Sequence, residues 1–449
     1  MTQKLLNRYG GSVPRYTSYP TAPHFHSGVT SETYERWLET LPKNETLSIY
    51  LHVPFCQRMC WYCGCHTKIS KKYNPISDYA KHMALEMALV AALIPRRQTV
   101  KHIHWGGGTP TILSPDDFAA LMTRLRTQFD VDPDAEIAVE IDPCTMTHDM
   151  AKTLAASGVN RASVGVQDFN ASVQKAINRI QTLDQTKTVV TWLRDAGIEK
   201  INLDLMYGLP KQTIADAKRS AELSLSLQAD RYSVFGYAHV PWMKSHQKMI
   251  NDNDLPSSEE RLAQAAAIAE LLEKNGYQAV GLDHYAKPED PMAKAKHAGE
   301  LHRNFQGYTT DTASTLIGLG ASAIGRMPQG YVQNTSSERQ YKAAISKNTF
   351  PIARGIALSA NDSLRREIIE RLMCDLSVDL AALCQNAGVM MSEFAIELTK
   401  IQRMGADGLV HVKGGEIQIT EAGQPYVRAV CAVFDQFLDT GKARHSKAV

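Results

Sequence analysis

The chain has 449 residues, of which 44% are hydrophobic and 21% charged, and its formal net charge is +2. This length suits one large and one smaller domain, and interspersed charges give no reason to expect a nucleic-acid binder. No apolar stretch in the sequence is long enough to cross a bilayer, and the N-terminal residues lack the apolar segment of an export signal. We therefore expect a cytoplasmic protein that binds neither nucleic acid nor membrane.

After an N-terminal arm, residues 1–45, short apolar runs alternate with helical patterns up to about residue 240. The predicted strands are 47–54, 102–106, 136–142, 161–166, 200–207 and 232–237. The predicted helices between them are 77–93, 115–129, 150–157, 183–196 and 213–227. Six β/α repeats indicate a parallel sheet with right-handed crossovers. Residues 46–330 are the predicted catalytic domain.

Polar and glycine-rich residues recur where each predicted strand ends. Ligands bind at this edge of the sheet in barrel folds. The residues concerned are the cysteine loop after Phe55, Gly106–Pro110, Glu140 with Asp142, Gln167 with Asp168, Asp204, and Gly236–His239. A doubly wound sheet also places its site at strand ends, so the pattern allows either that fold or a partial barrel.

A second domain, residues 331–449, is predicted to be mainly helical. Residues 407–420 form two alternating runs joined by Lys413-Gly414-Gly415, which predicts a hairpin. Helical patterns at 392–404 and 425–438 flank it. This outline resembles a winged helix, but its helices carry no basic stripe, so we expect a packing or substrate-covering role.

Four cysteines lie within ten residues: Cys56, Cys60, Cys63 and Cys65. Without an export signal, thiols this dense indicate a metal centre rather than disulfides. Zinc sites usually draw a second pair from further along the chain, and none follows here, so the spacing favours an iron–sulfur cluster over a zinc-stabilised structural protein. Three thiolates on one loop can hold three corners of a cubane and leave one iron open to a small ligand.

An open iron suits S-adenosylmethionine (SAM), which can chelate it through an amine and a carboxylate. Cluster potentials extend to about −700 mV, in the direction needed to reduce the sulfonium. Tyr62 is placed to shield the cluster, and the glycine run after a strand allows a close backbone approach. Glu140 and Asp204 suit ribose hydroxyls or an amino group, although each alone is more often a solvated or capping acid. Gln167 and Arg179 suit a carboxylate.

On these motifs the chain resembles radical SAM enzymes, and closely the family of oxygen-independent coproporphyrinogen III oxidases (coproporphyrinogen dehydrogenases) of heme biosynthesis. The resemblance rests on residues 14–21, 56–65, 104–110, 165–170, 204–212 and 301–310. It implies an α/β fold, a partial (β/α)6 TIM-like barrel with an N-terminal arm and a mainly helical, winged-helix-like C-terminal domain. It also implies an oxidoreductase that uses a 5′-deoxyadenosyl radical to turn two propionates of coproporphyrinogen III into vinyl groups, giving protoporphyrinogen IX.

The resemblance further implies which residues hold the cofactors. The ligands of a [4Fe–4S] cluster would be Cys56, Cys60 and Cys63, with Cys65 a family marker rather than a ligand. A first SAM would lie on the cluster and touch Tyr50, Gly107, Glu140 and Ile324. A second SAM would touch Gly108, Thr109, Gln167, Arg179, Asp204 and Ala238. The chain departs from the family pattern at position 180, where the resemblance leads us to expect an acidic residue and the sequence has Ile180.

The two motifs that mark this branch of the family are residues 14–21 and 301–310. The substrate carries four carboxylates, and these branch-marking motifs supply basic candidates for them: Arg15, His302 and Arg303. We also expect a reducing electron donor such as flavodoxin or ferredoxin, and a monomer. Two alternative functions are a radical SAM methyltransferase that acts on heme and a heme-trafficking chaperone. The branch-marking motifs favour the oxidase.

Overall fold

The computed structural model describes residues 3–43, 45–95 and 98–438. The described residues form two compact units. The barrel unit contains residues from 26 to 271 and from 313 to 357, and the second unit contains residues 3–25, 272–312 and 358–438. None of the helices in these residues has the length and apolar character that a membrane span requires.

The strands, in chain order, are β1 (Leu47–Val53), β2 (Phe55–Cys56), β3 (Lys68–Ile69), β4 (Thr99–Gly107), β5 (Asp130–Ile141), β6 (Arg161–Gln167), β7 (Lys200–Tyr207), β8 (Arg231–Gly236), β9 (Gln278–Val280), β10 (His284–Ala286), β11 (His302–Asn304), β12 (Gly307–Thr309), β13 (Thr315–Leu319), β14 (Ile324–Met327), β15 (Gly330–Asn334), β16 (Ile352–Ala357), β17 (Ser377–Asp379), β18 (Val410–Lys413) and β19 (Glu416–Ile419).

The α-helices are α1 (Gln3–Tyr9), α2 (Ser31–Glu39), α3 (Asn74–Leu93), α4 (Pro115–Gln128), α5 (His148–Ala156), α6 (Ala171–Ala176), α7 (Leu183–Asp195), α8 (Ile214–Leu225), α9 (Ser258–Lys274), α10 (Pro291–Ala298), α11 (Glu338–Ile345), α12 (Ala360–Asp375), α13 (Leu380–Asn386), α14 (Ala395–Ala406) and α15 (Val427–Ala432). Short 3-10 helices span Ala22–His24, Pro110–Ile112, Ser245–Met249, Asp252–Asp254, Met391–Phe394 and Glu421–Tyr426.

The sheet of the barrel unit has the strand order β16-β15-β14-β13-β1-β4-β5-β6-β7-β8. From β1 through β8 the neighbours are parallel, and each β/α repeat adds its strand at the same edge. A doubly wound sheet instead reverses direction partway, so this order is that of a barrel fold. The predicted α/β fold with a partial (β/α)6 barrel is therefore confirmed.

The predicted strands and helices between residues 46 and 240 are all present, and the largest difference is that β5 begins at Asp130 instead of 136. Burial on both faces explains why the strands were readable, since all but one residue of β1 is buried. Capping side chains begin many of the helices: Ser114, Thr147, Thr182 and Thr213 each accept a hydrogen bond from a backbone N–H in the first turn.

Four further strands extend this sheet on the other side of β1. Strand β13 pairs with β1 in parallel, and β14, β15 and β16 continue in antiparallel order. The sequence did not indicate these strands, because β13, β14 and β15 are short and follow one another closely, while β16 is separated from them by α11. They place residues 331–357 in the barrel unit rather than with the rest of the predicted C-terminal domain.

Residues 272–312 also group differently from the predicted domains. They belong to the second unit, where Val280, Met292 and Tyr308 share an apolar cluster with Cys374 of α12. The domain boundaries proposed from the sequence, 1–45, 46–330 and 331–449, stay a prediction. Residues 439–449 of the last domain lie outside the described residues.

The second unit contains the predicted hairpin, formed by β18 and β19, with β17 on the other side of β19. Helices α12 to α15 pack around it through a core that includes Ile368, Ile401 and Phe434. The predicted helix 425–438 is α-helical only over Val427–Ala432. Pro425 lies in the preceding 3-10 helix, where its missing N–H breaks no α-helical bond.

Glu86 on α3 is a buried carboxylate that fixes the turn between β13 and β14. Its Oε2 accepts hydrogen bonds from the N–H of Gly320 and the hydroxyl of Tyr341, each 2.7 Å long. Its Oε1 accepts one from Nδ2 of Asn334, also at 2.7 Å. Burial raises the pKa of Glu86 to about 7, although these hydrogen bonds oppose the rise.

We predict that wild type gains stability over the Glu86→Gln variant as the pH falls from about 8 to about 5. The folded state binds the Glu86 proton more readily than the unfolded chain, so this contribution is complete below the ordinary carboxyl pKa and is lost as the pH rises through about 7. The difference in unfolding free energy should change by roughly 3 kcal/mol. Urea unfolding at several pH values measures it, and a pH-independent difference would contradict the raised pKa.

Candidate active site

The cysteine loop lies between β2 and β3, which pair in parallel. Side chains from other parts of the barrel unit hold its backbone. Nδ2 of Asn178 donates to the carbonyl of Met59 at 2.8 Å, and Nε2 of His246 hydrogen-bonds to the carbonyl of Cys63 at 2.7 Å. The protein itself therefore fixes the loop from more than one side.

The three predicted cluster ligands are free thiols: Cys56, Cys60 and Cys63. Thr67 donates to Sγ of Cys56 at 3.2 Å, and a second hydrogen bond of 3.3 Å joins that sulfur to Thr109. Nη1 of Arg179 donates to Sγ of Cys60 at 3.7 Å. Burial raises the pKa of Cys56 and Cys60, and these donors oppose the rise by favouring the thiolate. Hydrogen bonds to sulfur also tune the potential of iron–sulfur clusters.

Cys65 is hydrogen-bonded to Cys63, one of the predicted ligands. A hydrogen bond from the Cys65 thiol lowers the pKa of Cys63 to about 7, and Cys63 in turn raises the pKa of Cys65. Among the described residues, no three His, Cys, Asp or Glu side chains converge as a single metal ion would require. Three soft thiolates with donors to their sulfurs fit a [4Fe–4S] cluster, with one iron left for a ligand other than cysteine.

The glycine run after β4 occupies positions that have no room for side chains. A Cβ on Gly107 would lie 2.8 Å from the ring of His52, and one on Gly108 would lie 2.6 Å from the carbonyl oxygen of Phe55. Gly107 also has φ of +115°, which favours glycine. The N–H of Gly108 donates to the carbonyl of Val53 at 2.9 Å. The run thus holds the end of β4 against the strand that leads into the cysteine loop.

Glu140, near the end of β5, lies beside this run. Its Oε2 accepts a hydrogen bond from the N–H of Gly107 at 3.2 Å, and its Oε1 bonds with Nε2 of His104 at 3.2 Å. The ring of Tyr50 stacks on the ring of His104, with centroids 5.9 Å apart. Three residues predicted for the first SAM, Tyr50, Gly107 and Glu140, therefore lie together.

Ile324, the fourth residue predicted for the first SAM, lies close to this group. It begins β14, and its carbonyl would be 2.7 Å from a Cβ placed on Gly318. Gly318 of β13 is in turn the register partner of Tyr50 on β1. The absence of a side chain at Gly318 therefore lets β14 approach β13 beside Tyr50.

The residues predicted for the second SAM are spread over several strands, and Asp204 lies inside β7 rather than at the strand end where the sequence pattern placed it. Ser163 donates to both carboxylate oxygens of Asp204, at 3.2 and 3.1 Å, and Nδ2 of Asn202 donates to Oδ1 at 2.8 Å. Gln167 ends β6 with a φ of +66°, and Ala238 follows β8. The hydroxyl of Thr109 is hydrogen-bonded to the sulfur of Cys56. The structure thus supports a polar surface here, and the role of each residue stays a prediction.

Arg179 is buried and its guanidinium is engaged on several sides. It donates to Oδ1 of Asp142 at 2.9 Å, to the carbonyl of Gly165 at 2.9 Å and to Oε1 of Gln181 at 3.2 Å, in addition to Cys60. It therefore links a predicted cluster ligand to the ends of β5 and β6. Binding the carboxylate of SAM would require it to exchange one of these acceptors.

One buried side chain beside the group predicted for the first SAM, His52, was not predicted from the sequence. His52 bonds through Nδ1 to the hydroxyl of Tyr50 at 2.9 Å, and burial lowers the pKa of His52 to about 4, so the ring is neutral. Its position two residues from Tyr50 puts both side chains on one face of β1. Tyr62, predicted to shield the cluster, packs against an apolar cluster that includes Ile177 and Leu209.

The three predicted substrate residues all belong to the second unit, where they have different partners. Nδ1 of His302 bonds with Oε1 of Glu370 at 3.0 Å. The charges of Arg15 and Arg303 both lower the pKa of Asp283. Burial opposes ionisation of that carboxyl, but a hydrogen bond with its neighbour His284 and the two arginine charges lower the pKa of Asp283 to about 2.

Comparison with known proteins identifies the class and then the family. Residues 50–224 match the radical SAM superfamily and residues 358–426 match the HemN C-terminal domain. Together with the barrel, the cysteine loop and the glycine run, these matches make the chain a radical SAM protein with a [4Fe–4S] cluster and SAM as its cofactors. The predicted class and cofactors are confirmed.

The relatives narrow this class. The chain is 51% identical to the oxygen-independent coproporphyrinogen III oxidase of Bradyrhizobium diazoefficiens over 450 aligned positions, and the alignment covers 100% of both chains. It is 39% identical to that of Paracoccus denitrificans, covering 99% of this chain and 98% of the relative. The solved coproporphyrinogen III oxidase (HemN) of Escherichia coli superposes with a TM-score of 0.91 at 37% identity, over 94% of this chain and 98% of the other. The chain belongs to the oxygen-independent coproporphyrinogen III oxidase family.

We predict that Cys56→Ser, Cys60→Ser or Cys63→Ser each abolishes stable cluster binding, because each removes a thiolate ligand. The Cys65→Ser variant should retain about four iron and four sulfide ions per chain, as should wild type. Iron and sulfide analysis after anaerobic reconstitution measures this. Cys384→Ser, in the core of the second unit, is a matched control that does not touch the loop, and cluster loss in Cys65→Ser equal to that in Cys63→Ser would show four ligands instead of three.

Proposed function

We propose that this chain converts coproporphyrinogen III to protoporphyrinogen IX without oxygen, as an oxidoreductase of heme biosynthesis. Two propionate side chains become vinyl groups. The observation that carries the proposal is the match of the whole chain, including the second unit, to relatives named for this activity. The geometry of the cysteine loop and of the Glu140 region supports it independently.

In this proposal the loop thiolates hold the cluster, and two SAM molecules bind at the residues predicted from the sequence. Cluster and SAM supply, when bound, a 5′-deoxyadenosyl radical able to abstract a hydrogen atom. Glu140, beside the backbone N–H of Gly107, offers an acceptor to hydroxyl or amino groups of the first SAM. The neutral His52 holds the Tyr50 hydroxyl in place. Arg179 favours the thiolate form of Cys60 through its charge.

The change in the substrate requires an electron acceptor. Each propionate gives a vinyl group, one carbon dioxide, one proton and two electrons when the atoms and charges are balanced. One of these electrons leaves with the abstracted hydrogen atom, and the other passes to an acceptor. Because the substrate has four carboxylates, the protein has to bind a tetracarboxylate. Because the reacting carbon becomes a radical, the protein also has to keep it away from water and oxygen.

We further propose that a small carrier such as flavodoxin or ferredoxin reduces the cluster, and that the protein is a cytoplasmic monomer that binds neither nucleic acid nor membrane. The small net charge of +2 supports the absence of a nucleic-acid partner. Light scattering of the reconstituted protein measures the mass in solution, and a dimer mass would contradict the monomer.

We predict that anaerobic, reconstituted and reduced protein forms protoporphyrinogen IX and carbon dioxide from coproporphyrinogen III while it consumes SAM. The Cys63→Ser variant should form neither product, because it lacks a cluster ligand. Chromatography of the oxidised porphyrins together with carbon dioxide release measures the reaction.

Two other outcomes would replace this proposal. A methylated, ring-opened tetrapyrrole formed from heme would indicate the methyltransferase. Stable stoichiometric heme binding without SAM consumption would indicate a heme-trafficking protein.

A further inference from the structure

Arg303 on β11 is fixed on one side and lacks a partner on another. Its guanidinium lies over the ring of Tyr308, with the central carbon 4.3 Å from the ring centroid, and its Nε donates to the carbonyl of Tyr16 at 3.3 Å. Its Nη1 is buried and has no hydrogen-bond acceptor among the described residues. A stacked ring covers the face of a guanidinium and does not satisfy the N–H groups in its plane. Buried donors are rarely left unpaired, so this edge indicates an acceptor that the chain does not supply.

The aromatic ring under Arg303 is itself held rigidly. The hydroxyl of Tyr308 donates to the carbonyl of Met373 at 2.8 Å and accepts from the N–H of Leu282 at 3.0 Å. Gly281 has φ of +59°, and a Cβ there would overlap the Tyr308 ring. Glycine at this position therefore lets the ring reach the place from which it supports Arg303.

The charges around Arg303 favour an anion. A hydrogen bond with His284 and the charges of Arg303 and Arg15 hold the pKa of Asp283 well below its ordinary value, so both guanidinium groups act on this one carboxylate. A guanidinium presents paired N–H groups whose geometry matches a carboxylate. The unpaired edge and the geometry of the guanidinium thus point to the same class of ligand.

His302, the neighbour of Arg303, has the opposite surroundings. Its Nδ1 bonds with Oε1 of Glu370, which also accepts the backbone N–H of Arg303 at 3.2 Å. A second carboxylate beside Glu370 would be repelled. The adjacent residues of this motif are therefore not equivalent.

We propose that the Nη1 edge of Arg303 binds one propionate carboxylate of the porphyrinogen, that Arg15 adds charge to this site, and that His302 takes no part in it. This inference rests on the proposed function, since the ligand is the substrate of that reaction. Arg303 binds the substrate through a carboxylate and is not assigned any step of the chemistry.

The test measures, by fluorescence quenching, how tightly the reconstituted full-length protein binds coproporphyrin III, which is the oxidised and unreactive form of the substrate. The tetramethyl ester of the same porphyrin is the second probe, because it has no carboxylates. Arg303→Gln should weaken binding of the tetracarboxylate about 10- to 100-fold and change binding of the ester less than about twofold. Arg303→Lys keeps the charge without the paired N–H groups, so it should fall between wild type and Arg303→Gln.

Two variants control for charge and position. Arg403→Gln removes an exposed charge from α14 of the same unit, and His302→Gln changes the adjacent side chain. Both should bind the tetracarboxylate as wild type does. Equal affinity in Arg303→Gln and Arg403→Gln, equal losses for acid and ester, or a loss in His302→Gln as large as in Arg303→Gln would overturn the proposal.

Turnover separates this inference from the proposed function. With Arg303→Lys, we expect KM for coproporphyrinogen III to rise while kcat and the iron content stay near those of wild type. If wild type forms vinyl product and Arg303→Gln binds the tetracarboxylate normally, the Arg303 site is wrong and the function stands. If wild type forms no vinyl product, the function itself is wrong.

Discussion

The backbone contact between the glycine run after β4 and the strand that leads into the cysteine loop is the constraint on which the site depends. Gly108 lies so close to Phe55 that a side chain there would overlap it, and its N–H bonds to Val53. This contact brings Thr109 within reach of the Cys56 sulfur and turns the N–H of Gly107 toward Glu140. Residues far apart in sequence become one surface because two strand ends touch through their main chains.

Charge compensation is the second feature that organises the barrel unit. Arg179 is buried between the carboxylate of Asp142 and the sulfur of Cys60. Buried charges are stable only when they are paired, and the guanidinium of Arg179 has such a partner in Asp142. Arg303 in the second unit differs, since part of its guanidinium has no acceptor among the described residues. That contrast makes Arg303 a candidate for ligand binding rather than a structural ion pair.

The sequence predicted those elements whose structure depends only on residues that are close together in the chain. The β/α repeats were predictable because parallel strands buried on both faces form continuous apolar runs. The position of Glu140 near the end of β5 was also predictable, whereas Asp204 lies inside β7, and the roles of both residues stay predictions. Strands β13 to β16 were missed, since β14 has only four residues and its pairing depends on the close approach at Gly318. The difference between His302 and Arg303 was also unpredictable, because it depends on Glu370, which is distant in sequence.

The central claim is that three thiolates on a loop fixed by the protein hold the cluster and leave one iron open to SAM. Mössbauer spectroscopy of the protein reconstituted with iron-57, recorded with and without SAM, tests it most directly. We predict that about one iron in four changes its signal when SAM is added, and that Cys65→Ser shows the same change. A cluster whose irons all stay unchanged on SAM addition, or an iron that responds in Cys65→Ser but not in wild type, would contradict the account.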